Sequence, residues 1–228
     1  GKIYVYEKAF DDSWSLVYEL EGVEWLQGVS DGSEDEELGN RVALHNGVIV
    51  AANYGTPTWG TSPRDTTQRI YIIEKKIDES GVEYFSHRAI SLSQEFSFME
   101  RERFGKRGVS VNNRRVAVAA DSDTEDFGSG IETHPGSCFI IDLDNDYAIE
   151  RIVTNDISIT AFCENLFLSD QYLFVSTEDP DNLNEPIKLL SFSKSASNVW
   201  VLIDELVFPC DKDCFIFDMD FDAQSNII

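Results

Sequence analysis

The chain has 228 residues, enough for one sizeable domain with its own core. Hydrophobic residues make up 42% and aromatic residues 12%, which excludes an intrinsically disordered protein. Eighteen basic and 42 acidic side chains give a formal charge of −24, which repels nucleic acids and anionic membranes. No apolar run approaches the roughly 20 residues of a membrane helix, so we expect neither nucleic acid binding nor membrane insertion.

The chain opens on an aromatic strand pattern that returns three times. Its four copies are Lys2–Lys8, Arg69–Lys75, Ser137–Asp142 and Lys188–Lys194. Trp14 recurs as Trp200 at an offset of 186 residues, the offset between the first and fourth copies. Leu20 recurs as Leu206 at the same offset. This recurrence predicts structural roles for both tryptophans.

Pairs of short apolar strands lie between these copies. Each pair alternates with period two and is joined by a tight polar link, such as His45–Gly47, which is typical of a β-hairpin. The four pairs span residues 42–50, 109–118, 166–175 and 219–228.

Four antiparallel strands repeated along the chain predict an all-β fold, a β-propeller with four-stranded antiparallel blades and about four blades in this chain. We interpret one unit as an outer strand carrying Trp or an equivalent, then the hairpin, then the aromatic strand. The predicted boundaries are a leading strand at 1–8 and repeats at 9–76, 77–143, 144–194 and 195–228 of one domain or propeller fragment. The strand count fits a closed four-blade ring and also four blades of a larger ring, which a partner chain or further blades would complete. We favour the second reading, because the sequence stops within an apolar strand.

With the blade written out, the chain resembles the FG-GAP repeat family, whose propeller blades occur in integrin α-subunits. The resemblance rests on the Trp-led strand ending in Leu, on Leu38-Gly39 before one Val-rich strand and on Phe104-Gly105 before the next. The third and fourth copies lack a Phe-Gly pair, and the Gly-Ala-Pro of the family is degraded at 51–53, 119–121 and 176–178. The resemblance implies a propeller of a secreted or cell-surface protein. The calcium loop of integrins has no complete match.

A run of alternating carboxylates follows the second hairpin. Its candidate metal ligands are Asp121, Asp123, Glu125 and Asp126. Carboxylate oxygens near a glycine suit Ca²⁺, the one cofactor that we consider, although the run lacks the Gly and Glu positions of an EF-hand. A solvated acidic loop is the favoured alternative.

The insertion between Asn53 and Gln68 contains the candidate binding residues Tyr54 and Trp59. Loops on a rigid scaffold often bind ligands, and Trp59 is suited to stack on a sugar ring or anchor a partner protein. The alternative is that Trp59 caps the edge of its own blade.

The chain has four cysteines, and two of them, Cys210 and Cys214, flank a short polar loop. We predict a disulfide between these two in preference to a zinc site, because no histidine has ligand spacing to them. Two free thiols remain the alternative.

No catalytic motif is recognisable, and with 42 acidic residues no acid–base pair stands out. The first hypothesis is a non-catalytic extracellular or cell-surface recognition module that binds a protein or glycan through its blade loops. The alternatives are the propeller domain of a metal-dependent or polysaccharide-degrading hydrolase, and a structural assembly unit.

Overall fold

The computed structural model describes residues 1–21, 37–54, 69–91, 103–121, 123–126, 131–134, 136–154, 159, 162–177 and 186–208. Regular secondary structure in these ranges consists of β-strands. Within them, no helix has both the length and the apolar character that crossing a membrane requires.

Sixteen strands follow one another along the described part of the chain. The first eight are β1 (Lys2–Lys8), β2 (Trp14–Glu21), β3 (Glu37–His45), β4 (Val48–Tyr54), β5 (Arg69–Ile77), β6 (Glu83–Ser91), β7 (Arg103–Asn112) and β8 (Arg115–Asp121). They are followed by β9 (Asp123–Asp126), β10 (Ile131–His134), β11 (Ser137–Asp142), β12 (Ala148–Ile152), β13 (Phe162–Leu168), β14 (Tyr172–Thr177), β15 (Ile187–Lys194) and β16 (Trp200–Phe208).

These strands form antiparallel sheets of two or four strands. Sheet I has the order β3-β4-β5-β6, sheet II the order β7-β8-β11-β12 and sheet III the order β13-β14-β15-β16. The N-terminal hairpin is β1-β2, and the small hairpin is β9-β10. The all-β, antiparallel prediction is therefore confirmed. The described strands form an open series of sheets, without the closure of a ring.

The predicted strand order within a unit is wrong by one strand. The Trp-type strand β2 pairs with the aromatic strand β1 that precedes it, and β6 likewise pairs with β5. A sheet therefore consists of a hairpin, an aromatic strand and then an outer strand. The predicted boundary at 76/77 falls within β5, one residue before its end at Ile77, and leaves its sheet partner β6 in the next repeat. The short turn between β1 and β2 explains the order, since a tight link joins neighbouring strands.

Each sheet packs on the next through apolar residues that alternate along its strands. The hairpin and sheet I share a cluster that includes Ile3 and Tyr71, whereas sheets I and II share one that includes Ile72 and Phe104. Sheets II and III share a third cluster, which includes Trp200. Two-sided burial produces near-continuous apolar strands such as β5, because alternate residues face opposite neighbours.

A β-bulge recurs in the first strand of each four-stranded sheet. In sheet II, Phe104 is buried against Phe139, with ring centroids 5.6 Å apart. The next residue, Gly105, has φ +80°, and a Cβ atom there would lie 2.7 Å from the Cβ of Ala52 in sheet I. The Phe-Gly pair therefore fills the gap between two sheets and lets the backbones approach closely.

The third sheet keeps this bulge without the glycine. Phe162 is fully buried, and Cys163 takes the glycine position with φ +67°. The third copy lacks the Phe-Gly sequence, but it keeps the backbone conformation of the bulge.

The strand connections divide into a short class and a long class. In the N-terminal hairpin and in the hairpins of sheets I, II and III, two to five residues join the paired strands, as at 46–47, 78–82 and 195–199. Nine to fifteen residues make up the connections between β2 and β3, β4 and β5, β6 and β7, β8 and β11, β12 and β13, and β14 and β15. Because the strands are antiparallel, the short connections share one end of each sheet and the long connections share the other.

Candidate functional site

Two of the sequence candidates, Tyr54 and Asp121, lie at the long-connection end. Tyr54 is the last residue of β4 and Asp121 the last residue of β8. The two are 67 residues apart and hold the same position in consecutive sheets. Topology therefore brings the candidate binding loop and the start of the acidic run to the same end of neighbouring sheets.

The acidic run continues into the small hairpin. Opposite partners in its register are Asp123 and His134, then Glu125 and Glu132. Opposite residues of an antiparallel pair share a face, so these four positions lie on one face of the hairpin. Asp126 pairs with Ile131, at a register position of the other face.

Three candidates lie outside the described residues, namely Trp59, Cys210 and Cys214. Among the residues that the structure describes, no group of three or more His, Cys, Asp or Glu side chains is arranged to hold a metal ion. The metal site at Asp121, Asp123, Glu125 and Asp126 and the Cys210–Cys214 disulfide stay predictions.

A disulfide that the sequence analysis missed joins Cys138 of β11 to Cys163 of β13. The S–S distance is 2.02 Å, and both residues are fully buried between sheets II and III. Cys138 occupies the position that Ile70 holds in sheet I, where Ile70 packs against the site of Gly105. The disulfide thus replaces a glycine–isoleucine contact at the equivalent boundary and links the two sheets covalently.

A buried carboxylate lies at the short-connection end, between sheets I and II. Glu74 of β5 accepts a hydrogen bond from the Tyr147 hydroxyl at 2.9 Å and forms an ion pair with Arg114. The Arg114 Nε also donates to Asp144 at 2.9 Å, and the guanidinium of Arg88 lies 4.1 Å from the ring centroid of Tyr147. The cluster ties two loops of sheet II to two strands of sheet I, β5 and β6.

Opposing effects set the charge of Glu74. Burial would raise its pKa, but the hydrogen bonds from Arg114 and Tyr147 outweigh it and lower the pKa below the usual value. The hydrogen bond to Asp144, and after it the one to Glu74, raises the pKa of Arg114. Glu74 is therefore an ionised carboxylate with both oxygens occupied, which suits an inter-sheet tie and does not suit a proton-transferring acid.

A second polar series connects the hairpin turns at this end. The Asn46 amide donates to Asn113 at 3.2 Å, and the Asn113 amide donates in turn to Asp170. The Asn113 backbone N–H also donates to His45 Nδ1 at 2.7 Å. The three turns hold equivalent positions in sheets I, II and III, so their polar groups bind one another and fix the relative orientation of the sheets.

No family model matches this chain, and no curated protein sequence matches it either.

Proposed function

We propose that the chain is a non-catalytic recognition module that binds a protein or glycan at its long-connection end. The observation that carries the proposal is the division of the connections between the two ends of the sheets. At the short end, turns such as that of Asn113 bind each other. At the long end, each connection has at least nine residues, and Tyr54 leads into the connection that contains Trp59.

A rigid scaffold supports this role. Ion pairs cross each boundary between consecutive sheets, and a disulfide crosses the last one. Because the scaffold is already rigid, binding through its loops costs little additional conformational entropy of the scaffold. Aromatic side chains, such as those of Tyr54 and Trp59, are frequent energetic centres of protein and glycan contacts.

We further propose that the sheets follow a propeller arrangement of the FG-GAP type. The support is the bulge repeated in sheets I, II and III, with a Phe-Gly pair in sheet II, and the consecutive face-to-face packing of four-stranded sheets. A secreted or cell-surface location is part of the same proposal, since a buried disulfide between sheets forms and persists in an oxidising compartment.

The proposal is tested on an array of oligosaccharides and on an array of secreted protein ectodomains. We expect the wild type to bind members of one array and Trp59→Ala to reduce that binding by at least tenfold, the loss typical of an aromatic anchor. The matched control is Tyr84→Ala, because Tyr84 is an exposed aromatic residue at the short-connection end.

Equal loss of binding in both variants would contradict the assignment of the surface. An intact binding profile in Trp59→Ala together with hydrolysis of an arrayed glycan would contradict the non-catalytic role and favour the hydrolase alternative.

A further inference from the structure

The N-terminal hairpin leaves one edge of strand β1 open. The aromatic strands β5, β11 and β15 each pair with a strand on both sides, whereas among the described strands β1 pairs with β2 alone. β1 nevertheless carries apolar side chains on both faces, since Ile3 and Val5 pack toward sheet I and Tyr4 and Tyr6 are exposed. An edge strand with apolar residues on both faces is prone to pair with another strand.

Next to this edge, strand β3 of sheet I has an uncovered apolar surface. Val42 lies opposite Ala51, which belongs to the cluster between the N-terminal hairpin and sheet I. Leu44 is two residues further along the strand and shares this face. Val42 is 52% exposed and Leu44 is 67% exposed.

The counterparts of these two residues are covered in the other sheets. In sheet III they are Leu166 and Leu168, which are 8% and 1% exposed because β7 and β8 of sheet II pack on β13. In sheet II, Val111 is 7% exposed, because β3 and β4 of sheet I pack on β7. What covers the first strand of a sheet is thus the two-stranded hairpin of the preceding sheet. That hairpin is the part that β1 and β2 lack in the described part of the chain.

A glycine marks where the missing strand would approach most closely. In sheet II, a Cβ at Gly105 would lie 2.7 Å from Ala52 and 3.3 Å from Ile70. At the equivalent Gly39, a Cβ would lie 3.0 Å from Ile3, the counterpart of Ile70. Within 4 Å of that Cβ, however, no described residue takes the place of Ala52. The space beside Gly39 is therefore open to a small side chain.

The three complete sheets specify the chemistry of the strand that fits there. At the level of Ile3, the residue opposite the aromatic strand is small in each sheet: Ala52 opposite Ile70, Ala119 opposite Cys138 and Ser176 opposite Leu189. Two residues nearer the turn, the same strands carry the apolar residues Val50, Ala117 and Phe174. The edge therefore fits a strand with a small residue opposite Ile3 and an apolar residue opposite Val5.

We propose that this edge binds a β-hairpin of a partner protein. One strand of that hairpin pairs antiparallel with β1 and places its small residue beside Gly39, and the hairpin covers Val42 and Leu44. Main-chain hydrogen bonds supply the affinity of such strand addition, and alternate side chains supply its specificity. The surface is separate from the long connections, so the inference does not depend on the ligand bound there.

The exposure of β3 indicates that the hairpin comes from another molecule. Val42 and Leu44 remain more than half exposed within one chain. The described hairpins β3-β4, β7-β8 and β13-β14 are each engaged in their own sheet, and they are engaged in the same way in a second copy. A partner with a different sequence is therefore the occupant to which we assign the edge.

The probe for the test is a fluorescein-labelled synthetic peptide with the sequence of residues 109–121, which carries Ala119 at the small position. Its binding to the full chain is followed by fluorescence anisotropy, and we expect it to saturate. The peptide with Ala119→Leu should bind at least about tenfold more weakly, because the larger side chain would clash beside Gly39. In the chain, Leu44→Asp should weaken binding by about the same factor, because it places a charge under the added strand.

Tyr84→Asp is the matched control, since Tyr84 is an exposed residue on the opposite face of sheet I and its replacement should leave the affinity unchanged. Circular dichroism shows whether each variant is folded. Hydrogen exchange gives a second readout: amides of β1 should exchange faster than those of β5 in the free chain and should slow when the peptide is added.

Three results would overturn the proposal. The first is an anisotropy that does not saturate with the unmodified peptide. The second is equal affinity of the wild type and Leu44→Asp. The third is protection of the β1 amides in the free chain as strong as that of β5, because the edge would then already be occupied. In that case, the mass in solution distinguishes occupation by the chain itself, at 25.8 kDa, from occupation by a second copy.

Discussion

Removing the covalent link between sheets II and III tests how far the series of sheets depends on it. The pair Cys138 and Cys163 closes a loop with a sequence separation of 25. Loop-closure entropy for this length corresponds to about 3.5 kcal/mol of stability. For a chain of this size, a loss of that magnitude lowers the melting temperature by on the order of 10 °C.

The variant for this experiment is Cys138→Ala with Cys163→Ala, since alanine introduces no buried polar group. The variant and its reference protein both carry Cys210→Ser and Cys214→Ser, so that no other thiol can form a mixed disulfide. This reference protein is called the wild type in the comparison. Unfolding is followed by circular dichroism against temperature and urea. The wild type without reductant should be more stable than the variant by about 3.5 kcal/mol.

A second variant separates the disulfide from the backbone conformation. Cys163 has φ +67°, which costs a side-chain-bearing residue more than glycine. Cys138→Ala with Cys163→Gly should therefore recover roughly 1 kcal/mol relative to the double alanine variant. A difference below about 1 kcal/mol between the wild type and the double alanine variant would refute the reasoning, because the link would then constrain the unfolded chain very little.

Two further substitutions probe the boundary between sheets I and II. Gly105→Ala should destabilise the fold by roughly 1–3 kcal/mol in urea unfolding, because its Cβ would meet Ala52 in a left-handed conformation. Gly47→Ala is the control, because Gly47 also has a positive φ, +77°, but no atom lies within 4 Å of the added Cβ. It should cost less stability, and equal losses in the two variants would contradict the packing argument. Glu74→Gln should cost roughly 1.5–3 kcal/mol at neutral pH, since it removes a charged partner of Arg114. The pKa of Glu74 is lowered in the folded state, so its contribution is present above the usual value of 4.5 and is lost as the pH falls through the lowered folded value. A wild-type advantage over the glutamine variant that persists at acid pH would contradict this.

The strands and their repetition could be predicted from the sequence because period-two alternation and a constant offset are local signals. Trp14 and Trp200 show what such signals do not predict. The two tryptophans hold equivalent positions in two equivalent hairpins, yet Trp14 is exposed and Trp200 is buried. Burial depends on whether a neighbouring sheet is present, and no residue within the hairpin encodes that.

The pairing of the cysteines was not predicted from the sequence for a similar reason. Cys138 and Cys163 lie in strands of different sheets, and only the packing of sheet II on sheet III brings them together. Aligning Phe162-Cys163 with Phe104-Gly105 would have supplied the missing signal, since Cys163 then occupies a site at which two sheets approach each other closely.

Strand order within a sheet was mispredicted because sequence order was taken for pairing. The turn between Lys8 and Trp14 is short, and its backbone bonds from Ala9 to Ser13 and from Asp12 to Ala9 make it a hairpin turn. The short link between these two strands in the sequence was the available evidence that β1 and β2 belong to one sheet.

The recognition surface is tested most directly by hydroxyl-radical footprinting of the chain with the first ligand from either array. Protection is expected in the long connections at 55–68, 92–102 and 178–186, with the turns around Asn46, Asn113 and Asp170 unchanged. Protection confined to those turns, with the long connections equally reactive in the free and bound chain, would contradict a binding site at the long-connection end.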